Sequence, residues 1–373
     1  MTKTVAVAMS GGVDSTAAAI LLLDAGYRVI GLTMETGVGG GKAAAEAARR
    51  AARRLGVEHH VLDVSRKFRE EVVEPFCQEY LAGRTPNPCL ACNRRLKFGV
   101  LWERARALGA DLLATGHYAR VEEGPPGVFR LLKALDAGKD QSYFLYALGQ
   151  AELSRCVLPL GRLTKDEARR VAAARGLAGV ALPESQDVCF VPRTGRARLI
   201  AGLTGTKPVP GPIRDTGGRL LGTHRGLVFY TIGQRRGLGL PGPEPFYVLA
   251  LDHRTNTVVV GPARAAGSRW LIAREATYVS GRRPPDESRL RARLRHRGRE
   301  VEAVFRPLPD SPEGSPSGSF HLEFAEPQRA VAPGQAAVLY DGLEVVGGGI
   351  IVASEAEERA RSALVLPGDE NDS

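Results

Sequence analysis

Two groups of residues in this chain have the types and spacing to do chemistry. The first is Ser10-Gly11-Gly12-Val13-Asp14-Ser15, which follows the apolar run Val5–Met9 and opens a stretch rich in Ala and Leu. A strand, a glycine turn and a helix start, in that order, make an anion site. Glycines let the backbone approach a ligand, and the free N–H groups and dipole of a helix N-terminus favour negative charge. Ser10 and Ser15 add hydroxyl donors. The loop is not a Walker A motif, because Gly-Lys-[Ser/Thr] is missing. Asp14 is awkward beside bare phosphate but suits phosphate bridged by Mg²⁺. The bland alternative, a tight turn with an N-cap, accounts for a lone Gly-Gly pair better than for the whole hexapeptide.

The second group is the cysteines, five in all: Cys77, Cys89, Cys92, Cys156 and Cys189. Five in 373 residues do not make a disulfide scaffold, and such cysteines are candidates for reactivity or metal binding. Cys89 and Cys92 stand at C-x-x-C spacing in Thr85–Asn93, a rigid loop ahead of a helix expected from Arg94. A thiolate near a helix N-terminus has a lowered pKa and is a better nucleophile. Cys189 lies far downstream in Glu184-Ser185-Gln186-Asp187-Val188-Cys189-Phe190. Nothing around Cys77 or Cys156 argues against buried, inert thiols.

These groups need a frame. Val5–Met9, Tyr27–Met34, Glu58–Val64 and Asp111–Thr115 read as strands. Thr16–Ala25, Ala43–Leu55, Phe68–Leu81 and Arg94–Leu108 read as helices between them. Such alternation implies a parallel sheet covered on both faces, with ligands beyond the carboxyl ends of its strands. A mixed segment follows, with a helix over Lys165–Arg175 capped by Thr164. From Gly202 the texture is short β-like runs punctuated by Gly and Pro: Leu227–Ile232, Phe246–Leu251 and Thr257–Val260. After Ser268 come Arg289–Arg299, Val301–Phe305, Phe320–Phe324 and Ala336–Tyr340, with Pro307–Ser319 as a loop. The expected fold is α/β. An N-terminal parallel-sheet nucleotide-binding domain (1–201) precedes a small β-rich central domain (202–267) and a C-terminal β-barrel (268–356), with a disordered tail (357–373).

At the level of motifs, Ser10–Ser15 resembles the signature of the PP-loop ATP pyrophosphatases, which cleave ATP between the α- and β-phosphates and adenylate an oxygen of a second substrate. The resemblance implies that Ala8, Met9, Ser10, Gly11, Gly12, Val13, Asp14 and Ser15 hold ATP, with Met34 on the adenine side and Gly116 of Ala114-Thr115-Gly116-His117-Tyr118 close to the nucleotide. A second resemblance covers nearly the whole chain. Pro86-Asn87-Pro88-Cys89-Leu90-Ala91-Cys92-Asn93, the run ending in Cys189-Phe190, Lys139–Leu145, Tyr230–Gly239 and Ala332–Gln335 are similar, in order, to segments of the tRNA-specific 2-thiouridylases.

That family resemblance implies a reaction. ATP activates the C2 oxygen of the wobble uridine as an adenylate, with Mg²⁺ as cofactor. A persulfide on Cys189 delivers sulfur, and Cys92 attacks the persulfide or resolves it as a disulfide, with AMP leaving. Uracil C2 is a poor electrophile until its oxygen is adenylated, and splitting the work between two cysteines is covalent catalysis. The resemblance also implies tRNA contacts at Asn87, Pro88, Cys89, His117, Lys139, Asp140, Gln141, Arg295, His296 and Gln335. It implies a sulfur-donor protein as partner. A second reading has Cys89, Cys92 and Cys189 bind an iron–sulfur cluster with one open iron; sequence leaves the choice open. In relatives a longer loop follows Met34, whereas Glu35–Lys42 is short and Gly-rich, so roles there are not carried over.

Charge points the same way. Lys and Arg number 51 against 41 Asp and Glu, a net +10, which fits a polyanionic partner. Arg289, Arg291, Arg293, Arg295, Arg297 and Arg299 occupy alternate positions and, on a strand, share one face. A solvated face is the bland reading; phosphate-binding forks are the sharper one. Two rivals remain: a PP-loop enzyme acting on a small acid, which needs neither the paired cysteines nor the Arg-striped β-rich part, and a non-catalytic tRNA-binding module, which has no use for the loop and cysteines together. No apolar run approaches the ~18–20 residues needed to span a bilayer, and the N-terminus reads as a strand, not a secretory signal. A cytoplasmic protein without membrane contact is expected.

Overall fold

Strand β1 (Thr4–Ala8) carries no polar alternation, and Val5, Ala6 and Val7 are wholly buried. A strand apolar on both faces belongs in the middle of a covered parallel sheet. The computed structural model, which describes residues 2–177, 188–192, 195–242, 244–309 and 318–362, puts it there. The sheet order is β3 (Glu58–Asp63), β2 (Arg28–Glu35), β1, β4 (Leu112–Thr115) and β7 (Cys156–Val157), all parallel. Helix α1 (Val13–Asp24) starts just after the Ser10–Gly12 turn. Helix α2 (Gly41–Leu55) buries Ala45, Ala48 and Ala52 and turns its arginines outward.

The cysteine helix begins earlier than the expected Arg94. Asn87 Oδ1 accepts the Cys89 N–H at 3.2 Å, and Pro88 takes the first helical position, which needs no N–H donor. Cys89 and Cys92 therefore lie on the helix, not in a loop before it. Over Cys92–Val100 the turns widen: the Leu101 N–H donates to Leu96 O, five residues back. Such π-type turns are rare and concentrate at functional sites.

A second sheet, ordered β10 (Tyr247–Asp252), β11 (Thr257–Gly261), β8 (Gly211–Asp215) and β9 (Leu220–His224), forms the central β-rich part. The run Leu227–Ile232 is not one of its strands; it contains a short 3₁₀ turn, Leu227–Phe229. Beyond it β12 (Gly267–Tyr278), β15 (Ser319–Arg329), β14 (Val301–Leu308), β13 (Ser288–Arg293), β16 (Ala336–Asp341) and β17 (Glu344–Ser354) pair in that order, and β12 pairs again with β17 to close a barrel. The hairpin β5 (Ala119–Glu123) and β6 (Phe129–Lys133), from the N-terminal part, extends this sheet through Glu344 opposite Leu132.

Two expectations are corrected. The tail does not start at residue 357: Glu355–Ser362 is a helix that buries Ala356, Glu357 and Ala360, and its Ala356 N–H donates to Ser268 Oγ at 3.1 Å. Residues 363–373 lie outside the described residues, as do 310–317 of the expected loop. The arginine stripe is only half a strand, because β13 ends at Arg293. Arg289, Arg291, Arg295, Arg297 and Arg299 are exposed. Arg293 instead reaches inward, donating from Nη1 to Asp140 Oδ2 at 2.8 Å and from Nη2 to Glu300 Oε1 at 2.7 Å.

Lys133 Nζ lies 2.7 Å from Glu300, so this network locks the N-terminal part to the barrel. Removing one partner of a buried pair strands the other charge, at about 3 kcal/mol or more. Arg293→Met is expected to lower the urea midpoint by a shift of that size, whereas Arg289→Gln stays within about 0.5 kcal/mol. Equal, small effects in urea melts of both variants would show that the network does not bear load.

Candidate active site

The phosphate loop is preorganised by its own side chains. Ser10 N–H donates to Ser15 Oγ at 3.1 Å, the two hydroxyls lie 3.3 Å apart, and Ser15 Oγ donates to Gly12 O at 3.1 Å. Gly11 has φ +73°, and a Cβ there would lie 2.6 Å from Ala44 O, so no other residue fits. Met9 is buried and its carbonyl accepts from Thr33 Oγ1 at 2.6 Å. Asp14 accepts from Tyr118 Oη at 2.9 Å and from Lys165 Nζ at 2.7 and 2.8 Å.

The loop after β4 presses on this turn. A Cβ on Gly116 would lie 2.8 Å from the Ser15 nitrogen and 2.9 Å from the Asp14 carbonyl carbon. His117, next along, is buried, with Nδ1 2.7 Å from Thr115 Oγ1 and its ring stacked on Phe98. Burial, then the nearby Lys97 ammonium, holds its pKa well below the ordinary value. Lys97 and Phe98 belong to the cysteine helix, so His117 links the loop that presses on the phosphate turn to the helix that carries Cys89 and Cys92.

Lys97 escaped the sequence reading. Its ammonium acts on Cys89, Cys92 and Cys189 as well as His117. Five residues separate it from Cys92, a spacing that an ordinary helix puts on different faces but an i→i+5 ladder brings together. All five cysteines are free. Burial pushes the Cys89 thiol up to about 11 and raises Cys92 too, so the lowering expected of a helix N-terminus does not prevail. Cys189 is exposed, yet the atoms packed around it, and then Cys92, still push its thiol upward. In each case Lys97 opposes the shift. Cys77, in the apolar cluster on which Cys92 packs, and Cys156, in a different cluster, are buried.

Cys189 meets the loop that follows β2. Gly39, in the short loop after β2, runs against the Cys189 carbonyl. Met34, Cys92 and Val188 pack on one apolar cluster that includes Phe76, Leu96 and Phe190. The Glu184–Asp187 part of the motif lies outside the described residues. The remaining candidates divide. Gln335 Nε2 donates to Thr85 O at 2.7 Å, tying the barrel to the segment just ahead of the Asn87 cap and Pro88. The His296 ring lies 4.3 Å from that of Phe144, whose carbonyl accepts from Asn93 Nδ2, so His296 is linked to the cysteine helix through Phe144. Gln141 brackets Tyr118, accepting its N–H at Oε1 and donating to its carbonyl. Asp140 is buried in the Arg293 network, and Lys139 beside it is half-buried.

Comparison with known proteins fits this geometry. The profile of the tRNA methyl transferase HUP domain matches residues 3–193, that of the tRNA methyl transferase PRC-barrel domain 200–262, and that of the aminomethyltransferase beta-barrel domain 268–351. The tRNA-specific 2-thiouridylase MnmA of Chloroflexus aurantiacus is 46% identical over 361 residues, covering 94% of this chain and 99% of the relative. That of Moorella thermoacetica is 48% identical over 358 residues, covering 92% and 98%. The chain belongs to the tRNA-specific 2-thiouridylase family.

As a 2-thiouridylase of the PP-loop type it uses ATP, and the Ser10–Gly12 turn at the start of α1 suits polyphosphate. The iron–sulfur reading fits less well: among the described residues, no three His, Cys, Asp or Glu side chains are grouped to hold a metal ion. No described helix is long and apolar enough to cross a membrane. Lys97→Met is expected to move the pH midpoint of Cys92 alkylation by iodoacetamide upward, because the thiolate reacts and its stabilising cation is gone. An unchanged pH profile would remove Lys97 from the thiol environment.

Proposed function

We propose that this 2-thiouridylase adenylates the C2 oxygen of the wobble uridine of tRNA at the Ser10–Ser15 loop and replaces that oxygen with sulfur from a persulfide on Cys189. The observation that carries the reading is the chain of contacts from the phosphate turn through Gly116 to His117, and the Lys97 ammonium that acts on both His117 and the three thiols. The uridine C2 oxygen attacks the α-phosphate, the α–β bond breaks, and pyrophosphate leaves. The terminal persulfide sulfur attacks C2, and AMP departs with the oxygen. The Cys92 thiolate then attacks the Cys189 sulfur, freeing 2-thiouridine and leaving a Cys92–Cys189 disulfide. A dithiol reductant resets the pair, and a sulfur-donor protein reloads Cys189. Asp14 would hold Mg²⁺ when it is bound, and the ion would offset charge on the polyphosphate.

Ala8, Met9, Val13, Met34 and Gly116 line the nucleotide side in this reading. Asn87, Pro88, Cys89 and His117 flank the target base, and Lys139, Gln141, Arg295, His296 and Gln335 form the approach for RNA. The three thiols around one lysine disfavour the small-acid PP-loop alternative, which has no work for them.

The test is tRNA-dependent pyrophosphate release. Wild type is expected to release pyrophosphate only with tRNA. Cys92→Ser and Cys189→Ser keep that release for one turnover while thiolation falls more than a hundredfold. Release without tRNA would favour the small-acid reading, and full thiolation by either variant would remove that cysteine from the reaction. For the RNA surface, Arg295→Gln with Arg297→Gln is expected to flatten the salt dependence of tRNA affinity by about one to two units in log–log slope. An unchanged slope would place the RNA path elsewhere.

A further inference from the structure

Cys189 is exposed, and among the described residues 188–192 Phe190 alone is buried. The Val191 N–H donates to Val188 O at 3.0 Å, which makes Cys189 and Phe190 the two central residues of a tight turn. One of their side chains faces solvent and the other enters the protein. The Phe190 ring meets that of Phe68 at 5.6 Å and 84°, and that of Phe76 at 5.2 Å and 82°. Both are edge-to-face contacts, which hold a ring in one orientation and add to the gain from burial. Phe68 closes the turn Ser65–Phe68, and Phe76 lies on the helix Glu74–Leu81. Cys92 packs on the same apolar cluster, and it is close enough to act on the Cys189 thiol.

We infer that Phe190 is a positioning residue: its ring, seated against Phe68 and Phe76, holds Cys189 where the Cys92 thiolate can reach it. The inference rests on the reading that Cys189 carries the persulfide and Cys92 resolves it.

The step that needs this placement is a displacement at sulfur. As Cys92 Sγ bonds to Cys189 Sγ, the bond from Cys189 Sγ to the transferred sulfur breaks, and its electron pair leaves on the 2-thiouridine. Such a step depends on the distance and direction of approach, and a misplacement of about 1 Å can cost roughly 100-fold. Two other contacts hold the chain here. Gly39 abuts the Cys189 carbonyl, since a Cβ there would lie 2.7 Å from its oxygen. Beyond the turn, Arg196 donates from Nε to Val228 O at 3.0 Å and from Nη2 to Thr231 Oγ1 at 2.9 Å, tying down the start of the helix Arg196–Thr204. One touches the Cys189 backbone and the other acts past the turn. The Phe190 ring fixes the rotation of the turn itself, and with it the direction in which Cys189 points.

The test is the equilibrium between the reduced Cys92 and Cys189 pair and its disulfide, in glutathione buffers, on the full-length protein. Peptide mass mapping identifies the Cys92–Cys189 bond. The two thiols are oxidised as glutathione disulfide is reduced to two glutathiones, so the constant is the effective concentration of one thiol at the other. Phe190→Leu keeps an apolar side chain but loses the ring contacts, and Phe190→Met does so with an unbranched chain that fills gaps. Both are expected to lower the effective concentration about 10- to 100-fold, and release of thiolated tRNA in a single turnover slows with it. Pyrophosphate release with tRNA is unchanged, because activation uses neither thiol. Alkylation of Cys189 by iodoacetamide is not slowed, because that reagent comes from solvent and needs no positioned partner.

An unchanged effective concentration in both variants overturns the inference. So does a fall in pyrophosphate release equal to the fall in thiolation, which is what a general loosening of the N-terminal part would give. A wild type in which Cys92 and Cys189 form no disulfide at any glutathione ratio overturns the cysteine-pair reading, and this inference with it.

Discussion

Where β1 and β4 end side by side, the backbone at Gly116 comes so near the start of α1 that a Cβ would lie 2.8 Å from the Ser15 nitrogen. The rest of the site hangs on that approach. Parallel register sets Ala8 beside Leu32 on one side and Thr115 on the other. The three loops that follow β1, β2 and β4 therefore leave the sheet at one edge, as the topology of such sheets requires. The first supplies the phosphate turn. The second, through Gly39, meets Cys189. The third places His117 against Phe98, and so against the helix that carries Cys89, Cys92 and Lys97. Any side chain at residue 116 would push the first and third loops apart and part the phosphate turn from the cysteine helix.

Polar groups in and around the site are held in opposed pairs. Burial raises the three thiols, and Lys97 draws them back. Asp14 faces Lys165, and Asp140 faces Arg293. Each pair is costly to break on one side only. Asp140 has a structural consequence as well: it accepts from the Ala134 and Ser142 N–H groups and from Ser142 Oγ, so the barrel's Arg293 grips the N-terminal part at a fully bonded carboxylate. The barrel and the N-terminal part are thereby fixed relative to each other.

Much of this was legible in the sequence, for local reasons. The Ser10–Ser15 turn, the alternation of strands and helices and the Thr164 cap are signals written in consecutive residues. The parts that were not legible are those decided at a distance. Arg293 looks like its neighbours on the stripe until Asp140 turns it inward. The strand β17 is hidden by Gly347–Gly349, whose lack of side chains lowers strand propensity but admits the close backbone of β12 and β16. Lys97 is invisible to a 3.6-residue period because the helix there is wound wider. Asn87-Pro88 reads as a loop, yet those residues are a cap and a first helical turn, which moves both cysteines onto the helix.

The central claim is that ATP activation and thiol chemistry are two halves of one reaction on tRNA. Mass spectrometry of nucleosides from unmodified tRNA, incubated with the protein, Mg²⁺-ATP and a persulfide donor, tests it most directly. The account predicts 2-thiouridine at the wobble position, with one AMP formed per sulfur inserted and none of the product when ATP is left out. Sulfur incorporation without ATP, or ATP cleavage in the full mixture with no thiolated nucleoside, would contradict it.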